Sequence, residues 1–530
     1  MPVQPSPQAL RPAAPPSTAL RTVVELTGAR PSRDDLADVV VTGIEHRSNA
    51  VLPGDLFAGL AGARAHGARF AADAVGRGAV AVLTDQAGAD MLGELDVPVL
   101  VHDDPRAVLG EVSAAIYGNP SHRLQVLGIT GTSGKTTTSY LVEAGLVAAG
   151  LQTALIGTIE TRIGGQRVPS ALTTPEAPQL HAMFALMVEQ GVQAVVMEVS
   201  SHALALGRVD GVRFAVGAFT NLSQDHLDFH ADFEDYFAAK RRLFDPESPV
   251  AAQRSVICVD DAWGRRLARE VGGRAPVVTV ATEDSPTGED EPDWRALGVS
   301  ADGGEQLFTA AGPHAKVPVR LRLPGRYNIA NGLLAVAVCA AAGADAATAA
   351  EALATVDVPG RMQRVERGQD FLAIVDYAHK PAAVESVIAT MREHVKGSGG
   401  RLAVVVGAGG DRDAGKRPLM GATAARGADL LIITDDNPRS EDPAAIREAI
   451  RGGALGIAET ERGEVTEIGD RAAAITAAVD WARPGDVVLV AGKGHETGQE
   501  IAGVKYPFDD REVLAEALSR KTTAKDLTVS

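Results

Sequence analysis

Leu127 to Thr138 reads LGITGTSGKTTT and runs on into SYLVEAGLVAAG. An apolar run, a glycine-punctuated loop and a helix-patterned stretch, in that order, restrict the fold more than anything else in the chain. They describe a strand feeding a helix, the first half of a parallel βαβ unit. Gly131 and Gly134 let the backbone curl so that its amides face one point, and the helix N-terminus adds its dipole. With Thr132, Ser133 and Thr137 they form a loop suited to the phosphates of ATP. Lys135 reaches the outer phosphates, and the Thr136 hydroxyl is a ligand for Mg2+. The full G-x-x-x-x-G-K-[ST] pattern requires glycine where Ile129 stands, so the loop is a variant. A plain Gly/Thr turn is the other reading, and the strand–loop–helix context weighs against it.

The alternation of strand and helix continues on both sides. A length of 530 residues accommodates about three domains at ~150 residues each. Hydrophobic residues make up 45% of the chain and aromatics 4%, so the cores must be built from Ala, Val, Leu and Ile. Residues 1–21 are Pro/Ala-rich, lack the apolar centre of a signal peptide, and read as a disordered leader. Residues 22–123 carry VVVTGI, AVAVLTD and VPVLVHD around the helix-patterned AHGARFAADAVGRG, a small α/β domain. Residues 124–357 add TALIGT, AVVMEVSS, FAVGAFTNL and SVICVDD to the phosphate loop. That block reads as a doubly wound, mostly parallel sheet. The acidic TEDSPTGEDEPDW, residues 282–294, reads as an exposed loop within it. Residues 358–530 hold FLAIVD, RLAVVVG, DLLIIT and DVVLVAG, a C-terminal Rossmann-like α/β domain.

A net charge of −17 argues against nucleic acid or an anionic membrane as the main partner, while leaving room for local cation clusters around small anions. Cys258 and Cys339 sit in apolar segments without metal-ligand spacing or a disulfide framework. No apolar run is long enough to span a bilayer. The reading is a soluble, cytoplasmic protein acting as a monomer.

Each strand of the last block ends in a polar cluster: YAHKP, AGGDRD, DDNPR and GKGHE. Ligands gather beyond the carboxyl ends of strands in open α/β sheets, so four such clusters point to one site assembled from distant sequence. In DDNPR a turn accounts for the Asp, Asn and Pro but not for Arg439. A turn whose Arg439 pairs with Glu441 or Asp442 and a guanidinium fork that grips a carboxylate stand equally open at this level. In the central block Glu198 ends an apolar strand, where an acid can hold Mg2+ or pair with Arg208. Taken singly, His226 is a structural hydrogen bonder, because Mg2+ prefers oxygen ligands, and Lys240 is a surface lysine.

The stretches TGTSGKTTT, MEVSSH, TNLSQDHLDFH, AAKRRLF, PGRYNIAN, PGRMQ, DYAHKP, GDRDAGKRPLM, DDNPR and GKGHE follow one another in this order. Together they resemble the Mur ligase family over nearly the whole chain. The resemblance implies an ATP-dependent amide synthesis in peptidoglycan precursor assembly. ATP phosphorylates the D-glutamate γ-carboxylate of UDP-N-acetylmuramoyl-L-alanyl-D-glutamate, and an amine of meso-2,6-diaminopimelate attacks the acyl phosphate. It assigns Lys135 to ATP and Thr136 and Glu198 to Mg2+, with His226 serving a second Mg2+. Lys240 falls on a lysine carried as a carbamate, which would turn a cation into an oxygen ligand and requires a neutral amine. Asn331, Arg361, Asp376 and His379 fall on positions around adenine, ribose and phosphate.

The same resemblance assigns Ser48 to the UDP end and Thr173, Thr174, Ser200 and Arg208 to the sugar-peptide part. It assigns Arg412, Asp436, Asn437, Pro438, Arg439, Gly492 and Glu496 to diaminopimelate. DNPR points to diaminopimelate over lysine, since Arg439 matches the second carboxylate. Two departures stand out: Arg47-Ser48-Asn49 replaces Asp-Ser-Arg, and Leu206 replaces a glutamine found in some members. The competing expectations are a lysine-adding or folylpolyglutamate-type ligase of the same superfamily, and a phosphate-loop NTPase that drives a switch without forming a bond.

Overall fold

The computed structural model describes residues 10–529 apart from 37, 63, 169–171, 227–228, 283–290 and 303–304, and describes no side chains at 302, 397–398 and 524–529. Its largest sheet has eleven strands among the described residues. Gln125–Thr130 lies inside it, between Ala194–Glu198 and Phe214–Phe219, all three parallel. Thr153–Ile156 extends the sheet beyond Ala194–Glu198, while Arg254–Cys258 and Val277–Ala281 extend it beyond Phe214–Phe219. The strand order therefore reverses at Gln125–Thr130, which opens a crevice at that strand's carboxyl end. The helices Lys135–Ala148 and Arg326–Ala341 pack on one face, through Leu141, Leu146, Leu333 and Val336. Ala177–Glu189 and Phe233–Arg241 pack on the other, through Leu180, Phe184, Tyr236 and Phe237. This is the doubly wound arrangement expected.

The antiparallel strands at both ends of this sheet lie outside that expectation. Thr161–Ile163 and Gln166–Val168 form a hairpin at one edge, and Trp294–Asp302, Glu305–Ala311 and Lys316–Leu321 form a meander at the other. Burial alternates residue by residue along Glu305–Ala311 and Lys316–Leu321, whose inner face lies on the Arg326–Ala341 helix. Half-buried strands of this kind contain no apolar run, the feature that marks the parallel strands in the sequence. Most of the 282–294 loop lies outside the described residues.

The N-terminal sheet has the order Arg30–Pro31, Val99–Val101, Ala81–Thr84, Asp55–Gly59, Gly43–Glu45, parallel except at Arg30–Pro31. The expected leader needs correction. Residues 1–9 lie outside the described residues, but residues 10–21 are folded. Thr18–Ala19 pairs with Val40–Val41, and the helix Leu20–Thr27 begins directly after it. Arg11 Nη2 donates to the buried Asp55 at 2.9 Å, and the Ala13 and Ala14 amides donate to Glu189 at 2.8 and 3.1 Å. A buried carboxylate needs its guanidinium, which gives this segment a reason to order that its composition does not reveal.

The C-terminal sheet runs Gln363–Arg364, Leu372–Asp376, Val487–Ala491, Leu402–Val406, Leu430–Ile433, Glu464–Glu467, parallel except at Gln363–Arg364. Helices cover both faces. The carboxyl ends of its four central strands carry the four polar clusters. Among the described residues no helix is long and apolar enough to cross a membrane.

Candidate active site

Gly131 and Gly134 have φ of 144° and 86°, and Lys135 opens the helix with no side chain capping it. A Cβ on Gly134 would stand 2.4 Å from Asn331 Oδ1, so the buried Asn331 presses directly on the loop. Asn331 is itself held by Asn328, whose Oδ1 accepts from its Nδ2 at 3.0 Å. The segment after the neighbouring strand clasps the loop from the other side. Asn221 accepts from the Thr132 and Ser133 amides at 2.9 and 3.0 Å, and Thr220 donates to Ser133 O at 2.7 Å. Thr137 is buried in the first turn of the helix. Lys135 Nζ donates to the loop carbonyls Gly131 O and Thr132 O, both at 2.9 Å. Burial depresses its pKa, with Arg361 and Lys380 adding to that and Glu198 and Asp225 opposing it.

Glu198, 1% exposed, ends its strand beside the loop. Its Oε2 accepts from Thr136 Oγ1 at 3.0 Å and Thr158 Oγ1 at 3.1 Å, and its Oε1 accepts from the Thr158 amide at 2.8 Å. It pairs with these hydroxyls rather than with Arg208. Thr158 carries no motif of its own in the sequence; it is the last residue of the strand-like TALIGT stretch. The oxygen donors of Glu198 and Thr136 suit Mg2+. Among the described residues no three His, Cys, Asp or Glu side chains stand close enough to hold a metal alone. A cation here would be completed by phosphate and water oxygens, which is how Mg2+ usually binds.

Lys240 is no surface lysine. It is 1% exposed, its Nζ donates to Gly131 O at 2.9 Å and lies 4.5 Å from the centroid of the Tyr236 ring. Burial first, then Lys135, pushes its pKa well below the ordinary lysine value. His226 faces the same tyrosine, ring centroids 6.2 Å apart, with a left-handed φ of 54°. Burial lowers its pKa to about 4, leaving the neutral imidazole that metal binding requires. Its neighbour Asp225 forms an ion pair with Lys380 of the C-terminal unit, so the two units meet at the mouth of the phosphate loop.

On the C-terminal side, Asp376 is buried and accepts from the Met362 and Ala378 amides at 2.7 and 2.8 Å, with its pKa raised by burial. The Arg361 guanidinium lies 4.5 Å from the centroid of Tyr377, and the His379 ring 4.6 Å from it. Burial lowers the His379 pKa to about 4. The four strand-end clusters do converge. Gly410 N donates to Asn437 O at 2.9 Å, and Gly492 N to Asp376 O at 3.1 Å. Gly492 has φ of 121°, and a Cβ there would stand 2.6 Å from Asp436 Oδ2. Asn437 Nδ2 donates to Glu496 Oε2 at 2.8 Å, and Pro438 is buried.

Neither partner considered for Arg439 takes it. Glu441 is held by Arg417 at 2.8 Å, and Asp442 caps the following helix by accepting from Ala444 N at 3.0 Å. Arg439, with φ of 53°, donates from Nη1 to Gly410 O at 2.7 Å and lies 3.6 Å from Glu500. A Cβ on Gly409 would approach both Arg439 and the exposed Arg412.

Ser48 lines a cavity of about 310 Å³ with His46, Arg47, Phe70 and Arg106. A continuous track leads from there to Glu198. Arg106 lies 3.7 Å from Glu176, and Glu176 lies 2.8 Å from Arg208. Arg208 then reaches Thr174 O at 3.4 Å, and Thr174 Oγ1 donates to Glu198 O at 2.9 Å. Thr173 and Thr158 hydroxyls meet at 3.0 Å, and Ser200 caps a short helix while donating its amide to Thr174 at 3.1 Å.

Comparison with known proteins bears on all three units. Residues 40–117 match the Mur ligase family catalytic domain, 129–339 the Mur ligase middle domain and 360–494 the Mur ligase glutamate ligase domain. The chain is 52% identical to UDP-N-acetylmuramoyl-L-alanyl-D-glutamate--2,6-diaminopimelate ligase of Streptomyces avermitilis, over 96% of this chain and 98% of that one. It is 54% identical to the protein of the same name from Corynebacterium glutamicum, over 89% and 90%. A solved structure of a ligase of that name superimposes with a TM-score of 0.68 at 30% identity, covering 94% of this chain and 99% of the other. MurF from Acinetobacter baumannii, at 17% identity and a TM-score of 0.63, shares the fold. A phosphate loop clasped by its neighbour, an acid at the adjoining strand end and four converging clusters, matched along nearly the whole chain by these relatives, make it a member of the Mur ligase family.

Proposed function

We propose that the protein joins meso-2,6-diaminopimelate to the D-glutamate γ-carboxyl of UDP-N-acetylmuramoyl-L-alanyl-D-glutamate, using ATP, in cytoplasmic peptidoglycan precursor synthesis. The observation that carries this reading is the setting of Arg439. Its guanidinium is taken by neither Glu441 nor Asp442; it stands with Arg412 beside Gly409 and 3.6 Å from Glu500, in the group of strand-end loops that also carries Asp436, Asn437 and Glu496. Such a group suits an amino acid whose far end bears both a carboxylate and an ammonium.

In this reading the UDP end occupies the cavity at Ser48, and the peptide follows Arg106, Glu176, Arg208 and Thr174 to Glu198. The glutamate γ-carboxylate then lies beside the phosphate loop. Lys135 leaves the loop carbonyls for the ATP phosphates, and the helix N-terminus, which no side chain caps, holds them. Thr136 and Glu198 would hold Mg2+, and the neutral His226 with a carbamylated Lys240 would serve a second ion. Mg2+ supplies charge neutralisation on the transferring phosphoryl group. Asn331, Arg361, Asp376 and His379 line the nucleotide side. Transfer gives an acyl phosphate, the amine attacks it, and phosphate leaves as the amide forms. We take the working unit to be a monomer. We take residues 22–123, 124–357 and 358–530 as the three domains, with the middle and last closing on each other at Asp225 and Lys380.

The test is a phosphate-release assay with each substrate omitted in turn. Release should require ATP, the UDP-dipeptide and diaminopimelate together. Release with ATP alone would mark a switch NTPase, and equal use of lysine would mark a different ligase.

A further inference from the structure

Lys493 sits in the GKGHE stretch and is none of the residues assigned to ATP, Mg2+ or the amino acid. Its side chain is fully buried. Nζ donates to Asn437 Oδ1 at 2.9 Å and lies 3.4 Å from Glu496 Oε2 and 3.5 Å from Asp436 Oδ1. Those three partners are residues assigned to the amino-acid substrate. Asn437 Oδ1 accepts from Glu500 N as well, at 3.0 Å, so the amide is fixed from two sides. A second buried cation braces the same ground from below. Arg471 forms a two-pronged pair with Asp510, both contacts 2.7 Å, and donates to Ala491 O at 3.0 Å, next to Gly492.

Two carboxylates brought to one place repel each other, and a buried ammonium without partners is strongly disfavoured. Placing Lys493 between Asp436 and Glu496 removes both difficulties. We propose that Lys493 is a positioning residue for the amino-acid substrate. It is an internal counter-ion that holds Asp436, Asn437 and Glu496 in place and sets the charge they present. The inference rests on the function proposed above. Lys493 offsets the negative charge of Asp436 and Glu496, while Arg439, 3.6 Å from Glu500, is left for the second carboxylate of diaminopimelate. Lysine brings the ammonium alone. Without Lys493 the excess negative charge favours lysine, so the buried cation also contributes to selectivity.

The experiment uses full-length Lys493→Met, close in length but uncharged. Steady-state phosphate release is measured while ATP, the UDP-dipeptide and diaminopimelate are varied in turn, then with L-lysine replacing diaminopimelate. KM for diaminopimelate should rise about tenfold or more while kcat and the other two KM values stay within about twofold. The preference in kcat/KM for diaminopimelate over lysine should fall about tenfold. Lys493→Arg, which keeps the charge, should recover part of the loss. A folded Lys493→Met with unchanged KM and selectivity overturns the inference, and so does an equal loss toward all three substrates. If Lys493→Met does not melt cooperatively, Lys493→Gln is measured in its place by the same criteria. Unmodified protein that ignores diaminopimelate overturns the functional reading itself.

Discussion

Glu198 holds Thr136 and both polar groups of Thr158 while buried at the strand end, with Lys135 close enough to feel its charge. Glu198→Gln keeps the shape and removes the anion. Phosphate release with all substrates present should fall about a hundredfold or more, with little change in melting temperature. Lys240 is the other side chain whose setting contradicts its surroundings in sequence. Its helix carries charged residues on either side, yet its amine is buried against Gly131 O. Lys240→Ala should be nearly inactive and partly restored by short carboxylates, measured as phosphate release against added acetate. Unchanged activity without rescue would contradict a carbamate there. For Arg439→Ala, kcat/KM for diaminopimelate should fall about a hundredfold or more while ATP and UDP-dipeptide binding hold, because a pocket built for a charge loses most when the fork is removed.

The loops at the strand ends impose their geometry through backbone as much as side chain. Gly492 combines a φ of 121° with a position where an added Cβ would stand 2.6 Å from Asp436 Oδ2, so any side chain there displaces the acid. Gly492→Ala should raise KM for diaminopimelate about tenfold and leave nucleotide binding intact, as read by titration with ATP. These loops are legible in the sequence because an apolar run stops abruptly at each and turn residues follow. The hairpin of Gly498–Ile501 with Val504–Pro507, which lies against Arg439 through Arg439 N and Glu500 O at 3.0 Å, is not. Two short strands with mixed exposure carry too little periodicity to announce themselves.

Charges from different sheets meet in the ion pair between Asp225 and Lys380 beside the phosphate loop. Lys380 is partly exposed, so the pair adds about 1 kcal/mol or less to stability. Its effect should appear in turnover: Lys380→Ala should lower kcat several-fold, about fivefold, with the melting temperature unchanged. Acid should weaken the fold as a whole. His181, His379 and His495 have pKa values lowered from 6.5 to about 4, each mainly by burial. The unfolded chain takes up these protons near pH 6.5 and the folded one only near pH 4, so stability falls as pH drops through that window. For the fully buried His181 the loss is on the order of 3 kcal/mol, and His181→Gln should flatten the decline in melting temperature.

The amino-acid sequence by itself determined the phosphate loop, the parallel strands and the clusters that end them. Each is written in a contiguous stretch, where period, glycine and proline act over a few residues. Pairings between residues far apart in the chain, from 44 to 155 positions, were decided by tertiary structure alone. Arg11 on Asp55, Lys380 on Asp225, Lys240 under the loop and Lys493 beneath Asn437 all depend on which charges share a buried space. A charge taken out of water must find its partner wherever the fold puts one, and no local pattern records that choice.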